Sequence, residues 1–193
     1  MIGQIGKAVC FGNPLPCAQL NEIIYLDNDI DTTQDKKELI IRRLKEECIK
    51  HNLDPKYLAM DATGGGDVLA TLMARDSFFS TKFLRVQFGG QASTIATGGK
   101  QGKDLYANMV SELWYSGKPL LRSGQIRGLR PDVIREMTLR LYEETGGSHK
   151  RIRVESKEDM KARLNGRSPD TSDAYFLFLH AGRARCGLAA GEK

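Results

Sequence analysis

The sequence has no hydrophobic run of about 18 residues, so no segment is expected to span a membrane. Its opening, MIGQIGKAVC, has no charged stretch leading into an apolar one, which argues against a secretory signal. There is no CxxC and no close pair of histidines: Cys10, Cys17, Cys48 and Cys186 stand far apart, as do His51, His149 and His180. A zinc site is therefore not expected, and the cysteines read as reduced thiols of a cytosolic protein. Phosphate-binding loops are missing as well. MDATGGGDV (60–68) has three glycines in a row but no lysine, and GGKQGKD (98–104) is one residue short and ends in Asp104 instead of Ser or Thr. Val68 and Leu69 break any dinucleotide fingerprint after Gly64. No repeat or low-complexity segment occurs.

What is present is 193 residues, 40% of them hydrophobic, enough for one domain over 1–193 with a sizeable core. The net charge of +5 and pI near 9.0 lean slightly toward a polyanionic partner. The positive charge is clustered. Lys118, Arg122, Arg127 and Arg130 have no acid among them, and Lys150, Arg151, Arg153, Lys157, Lys161, Arg163 and Arg167 outnumber Glu155, Glu158 and Asp159. Such clusters are either solvated faces or surfaces that hold a nucleic-acid backbone.

Strands are expected at 20–26, 57–61 (buried), 83–88 and 151–156. Helices are expected at 33–52, 67–75, 103–117 (its end disturbed by Pro119), 131–144, 157–164 and from Pro169 onward. The segment 89–102 reads as an exposed loop. This alternation predicts an α/β layer structure with a partly parallel sheet.

Asp61 ends the strand YLAMD, and open α/β sheets collect ligands at strand C-termini. A divalent cation needs further oxygen ligands, and NGRSPDTSDAYFLFLHAGRA (165–184) offers them. Ser168 is placed to cap a helix that begins at Pro169, with Asp170 and Asp173 on one face of its opening turns. Acids there offset the helix dipole, by roughly 0.3–1 kcal/mol each. The apolar run Tyr175–Leu179 buries the helix, however, and a carboxylate at its mouth calls for a positive partner such as a metal ion. Asp61 with Asp170 and Asp173, among basic segments, fits two-metal phosphodiester hydrolysis.

Six segments in order, MDATGGG, RVQFGG, YANMVSELWY, GQIRGL, VESKEDMKAR and GRSPDTSDA, resemble the C-terminal nuclease domain of the large terminase subunit of tailed bacteriophages. The resemblance runs from about residue 7 to 180. It implies an RNase H-like fold, a central mixed β-sheet flanked by helices on both faces, and an endonuclease using two Mg²⁺ or Mn²⁺ ions. It also implies action on concatemeric double-stranded viral DNA in the cytoplasm of the bacterial host, with the small terminase subunit and the portal protein as partners. The second acid of the family matches Asp61, and the third falls on Asp170 or Asp173. Lys118, Arg122, Arg127, Arg130, Lys157, Lys161, Arg163 and Arg167 are the candidate DNA contacts. The family's first acid lies on a first strand upstream of the segment that here reads GKAVCFGNP. Residues 1–21 contain no Asp or Glu, so this strand and the family's ATPase domain are expected to be absent from these 193 residues. Weak metal binding, weak cleavage and an exposed sheet edge would follow. A docking module without catalysis, or another RNase H-like nuclease such as a junction resolvase or transposase, are the other readings.

Overall fold

A hairpin opens the chain: β1 (Ile2–Cys10) and β2 (Asn13–Glu22) pair antiparallel along their whole length. The computed structural model describes residues 1–10, 13–26, 35–80, 82–97, 99–146 and 149–189, with main chain alone at 6–10, 13–14 and 97. The expected strand at 20–26 is displaced, because β2 starts seven residues earlier and ends at Glu22. Pro14 and Pro16 hid it: proline cannot donate to a ladder on both sides. Both sit where β2 has β1 as neighbour and, among the described residues, no second one, while Ala18 and Gln19, further along, also pair with β7 (Ile126–Arg127) in parallel.

Next come α1 (Lys36–Lys50), capped by the Asp35 carboxylate on Lys37 N–H, a 3-10 turn at Pro55–Tyr57, and β3 (Ala59–Asp61). Thr33 and Gln34, included in the first predicted helix, lie outside the described residues. β3 is half-buried, not buried, and runs parallel to β4 (Leu84–Val86), with α2 (Gly65–Arg75) as the crossover. The mixed sheet is thus in two parts, β1-β2-β7 and β3-β4, with helices packed against it.

The predicted loop 89–102 contains a small hairpin, β5 (Ala96–Thr97) with β6 (Lys100–Gln101). It is anchored by Glu112, which is fully buried and accepts from the Ser93 hydroxyl at 2.6 Å and from Arg183 Nη1 at 3.1 Å. Most of the segment is exposed, as expected; the hairpin and its anchor were not foreseen, because Glu112 lies outside the segment and meets Ser93 only in the fold. Glu112→Gln removes the charge facing Arg183 and turns one of the two accepting oxygens into an NH2 donor, so one of the bonds from Ser93 and Arg183 is lost. Chemical denaturation is expected to show a loss of about 1–3 kcal/mol.

The helix predicted over 103–117 divides into α3 (Gly102–Leu105) and α4 (Met109–Arg122). Tyr106 is extended and bridges to Ile152, and Asn108 restarts the helix by accepting from Ser111 N–H at 3.1 Å. Pro119 does not end α4; it lies inside, three residues from its last turn's close, where the missing N–H costs one bond only. The helix predicted over 131–144 stops earlier. α5 (Pro131–Leu139) gives way at Arg140, and Tyr142–Glu144 is a strand, β8, antiparallel to β9 (Ile152–Val154). Then follow α6 (Lys157–Arg163), capped by Ser156, and α7 (Asp170–Arg185). Ser168 is not the cap of α7: Pro169 takes that position without a side-chain bond, and the Ser168 hydroxyl donates to Asp170 Oδ1 at 2.8 Å.

α7 is the core helix. Tyr175, Phe176, Leu177 and Leu179 join Val110, Leu113, Trp114 and Leu120 of α4 and Val133 of α5 in the main cluster. A second cluster forms under α1 and α2 around Cys48, Met73, Phe79 and Phe83. His180 is buried within α7, and burial pushes its imidazole pKa down.

Candidate active site

The end of β3 is held by a short chain of bonds. Ala62 N–H donates to Val86 O at 2.8 Å, Thr63 N–H to Asp61 Oδ1 at 2.9 Å, and Phe88 N–H to the Thr63 hydroxyl at 3.0 Å. Asp61 therefore sits at a strand end that is pinned to its neighbour strand. The glycines make the exit possible. Gly64 has φ +55° and ψ −121°, a conformation open to glycine, and it stands at the N-cap of α2. A Cβ on Gly66 would overlap the Asp61 carbonyl oxygen, so the first turn of α2 closes directly over the main chain of Asp61. Gly66→Ala is expected to lower stability by about 1–3 kcal/mol, because this contact is with backbone and cannot rotate away. Thermal unfolding measures it.

Asp173, one turn into α7, is buried with 7% of its side chain exposed. Its Oδ1 accepts from Trp114 Nε1 at 2.8 Å and from Arg140 Nη1 at 3.2 Å, and Arg140, itself 3% exposed, lies over the Trp114 ring at 4.8 Å. Its Oδ2 accepts no hydrogen bond among the described residues and faces Lys157 Nζ at 3.4 Å. Desolvation pushes the Asp173 pKa up, against the pull of Trp114, Arg140 and Lys157. Asp170 differs. It is exposed, and Lys157 Nζ meets its Oδ1 at 2.6 Å. Desolvation raises its pKa, but hydrogen bonds from Lys157 and Ser168 and the charges of Lys157 and Lys161 outweigh this and hold it low. Lys157 is lifted in turn: desolvation lowers it, and Asp170 with Asp173 more than offset that.

Asp61 and Asp173 line one cleft of about 800 Å³, together with Thr63, Arg140, Arg153 and Lys157. Asp170 stands at its rim, linked through Lys157. Glu155 also lines it but is committed to Arg163, whose Nη2 and Nε lie 2.7 and 2.9 Å from its carboxylate; Asp159 accepts from Ser156 at 2.7 Å. Among the described residues no three acids, histidines or cysteines come together as a ready metal site.

Of the eight candidate DNA contacts, Lys157 alone lines the cleft. Lys118, Arg122, Arg127 and Arg130 are exposed outside it: Lys118 Nζ lies 5.7 Å from the centre of the Tyr115 ring, Arg127 donates to Gly124 O, and Arg130 pairs with Asp132. Lys161, within α6, and Arg167, after it, are exposed, and Arg163 is occupied by Glu155 and Leu139 O. Arg153, part of the basic cluster read in the sequence but not among the candidate DNA contacts, lines the cleft too, and so does Arg140, which fell within a predicted helix and carried no sequence signal for that role.

The fold is RNase H-like, the fold of phage terminase nuclease domains. The solved structures it is similar to include the nuclease domain of the large terminase subunit gp2 of bacterial virus Sf6. That likeness has a TM-score of 0.55 at 14% identity, over 77% of this chain and 74% of that one. A lysine-to-alanine mutant of the same Sf6 domain with manganese and beta-thujaplicinol gives 0.52 at 14% identity, over 76% and 73%. The mutant with manganese alone gives 0.50 at 14%, over 77% and 75%. No family model matches the sequence, and no curated protein matches it significantly. Among the described residues no helix is long and apolar enough to cross a membrane.

Proposed function

We propose that the chain is a divalent-metal-dependent endonuclease domain of a viral DNA-packaging terminase, cutting concatemeric double-stranded DNA in the host cytoplasm beside a small terminase subunit and a portal protein. The observation that carries this reading is the pair Asp61 and Asp173 on one cleft, with the buried Asp173 Oδ2 left without a hydrogen bond. Its charge is met by Lys157 Nζ at 3.4 Å without a hydrogen bond, and a divalent cation would coordinate it directly. Asp61 and Asp173 would hold Mg²⁺ or Mn²⁺, with Asp170 sharing the load from the rim. Two such ions, when bound, supply an activated water and charge for the leaving oxygen. The chain's own part is to orient the acids: Trp114 and Arg140 fix Asp173, and Thr63 fixes Asp61. Arg153 and Lys157, at the cleft wall, would meet the phosphate backbone without reading sequence.

Lys157 Nζ is the cation now in contact with both Asp170 and Asp173. Lys157→Met is therefore expected to tighten Mn²⁺ binding about tenfold in calorimetric titration, while weakening DNA binding. The test of the function itself is Mn²⁺ titration with and without DNA, followed by nicking of supercoiled plasmid. Saturable binding and metal-dependent nicking support the enzyme. DNA binding without either favours a docking module of the same fold, the reading supported by the lack of a three-acid group among the described residues.

A further inference from the structure

Leu141 and Tyr142, where α5 gives way to β8, are two large apolar side chains left in water, 56% and 60% exposed. Both line the cleft that holds Asp61 and Asp173. Their main chain is pinned. Leu141 N–H donates to Glu155 Oε2 at 3.2 Å, and Glu155 N–H donates to Leu141 O at 2.8 Å. Arg140 Nε, one residue earlier, donates to Glu155 O at 2.9 Å. Tyr142 stands opposite Val154 in the β8–β9 ladder, so the two side chains lie on the same side of the hairpin. Val154 is buried there and Tyr142 is not. What backs the Tyr142 ring is aromatic: Tyr115 meets it edge to face, the ring centres 5.1 Å apart, and Tyr115 lies 6.5 Å from the ring of buried Tyr106. The ring thus rests on a row of rings rooted in the core, with the rest of its surface open.

We propose that Leu141 and Tyr142 form a stacking platform for an unpaired nucleobase, so that the cleft prefers DNA with a gap, a mismatch or a frayed stretch beside it. The inference rests on the reading of the cleft as a nucleic-acid site and goes beyond it, since holding a continuous duplex by its phosphates needs no such surface. A ring supported from behind and bare in front loses little freedom when a flat ligand settles on it. Charge indicates which flat ligand. Arg153 and Lys157 line the same cleft, so an aromatic surface shares it with cations, the combination that binds base and phosphate of one strand together. In an intact duplex each base face is covered by its neighbours, and only the edges open into the grooves. A side-chain ring reaches a base face once that base is unstacked. The platform is indifferent to base identity, because every base has a π-face.

The probes are a short blunt DNA duplex and the same duplex with a gap of a few nucleotides in one strand. Both are titrated against the full chain by fluorescence anisotropy in Ca²⁺, a hard cation that takes the same oxygen ligands, with denaturing gels confirming intact strands. The gapped duplex is expected to bind about ten- to a hundredfold more tightly. Tyr142→Ala should bring it down to the level of the blunt one, and Tyr142→Trp should keep the preference. Urea denaturation checks that the alanine variant is folded; if it is not, Leu141→Ser, which removes the other half of the platform, is read in its place and should lose most of the preference. Equal affinity for the two duplexes, binding of neither, or a preference that survives Tyr142→Ala overturns the proposal. A gap preference without Mn²⁺-dependent nicking would remove the nuclease reading and keep this one; nicking without a gap preference would do the reverse.

Discussion

Asp61→Asn is expected to abolish metal-dependent nicking, a loss of more than about a hundredfold, while leaving the fold intact. The two halves of this expectation come from different atoms. Asn retains the Oδ1 that accepts from Thr63 N–H at 2.9 Å, so the turn leaving β3 keeps its bond and stability should change by less than about 1 kcal/mol. What disappears is the negative charge at the cleft. Residues that merely orient metal ligands typically cost 10–100-fold when removed, so a direct ligand should reach or exceed the top of that range. Measured together, plasmid nicking and urea unfolding separate a ligand from a structural acid. Brisk Mn²⁺-dependent nicking by Asp61→Asn would remove Asp61 from the site. A large stability loss would show instead that the carboxylate serves the turn.

The glycine stretch behind Asp61 shows how much of the site could be read in advance. That Asp61 ends a strand and that a helix follows GGG were legible, because the apolar run, the glycines and the helical spacing agree. The reason for the third glycine was not: only the folded geometry brings Gly66 onto the Asp61 carbonyl. α7 was legible for the same reason as β3, a local pattern reinforced by proline at its start and an apolar run within it. What failed to show were features that depend on distant partners. Arg140 leaves the helical pattern of α5 because Asp173 and the β8–β9 hairpin draw it away. Glu112 looks like a solvent-facing helix residue until Arg183 and Ser93, at separations of 71 and 19 residues, close around it. The β1–β2 hairpin was obscured by its prolines, although its register is continuous along most of its length. Local periodicity carries the helices; the charges that shape the cleft are set by contacts across the sequence.

Asp173 is the residue where stability and chemistry pull against each other, and Asp173→Ala is expected to cost the fold about 3–5 kcal/mol. Alanine leaves both Trp114 Nε1 and Arg140 Nη1, buried donors, without the oxygen that accepts from them. Asp173→Asn should cost far less, since the amide oxygen still accepts from Trp114. The comparison with wild type then turns on pH. Burial holds the folded-state pKa of Asp173 above the ordinary carboxylate value, so the folded protein binds this proton more tightly than the unfolded chain does. The associated stability is fully present below the unfolded pKa and is lost as pH rises through the folded one. At low pH wild type and Asp173→Asn should differ little; as pH rises, wild type should lose stability that Asn retains, so the gap moves in favour of Asn. Denaturation midpoints across that pH range measure it, and a gap moving the other way would mean that Arg140 and Lys157 outweigh desolvation. Mn²⁺ should reverse the trend at neutral pH, stabilising wild type, whose ionised Asp173 exchanges Lys157 for a divalent partner at Oδ2, and leaving Asp173→Asn nearly unmoved.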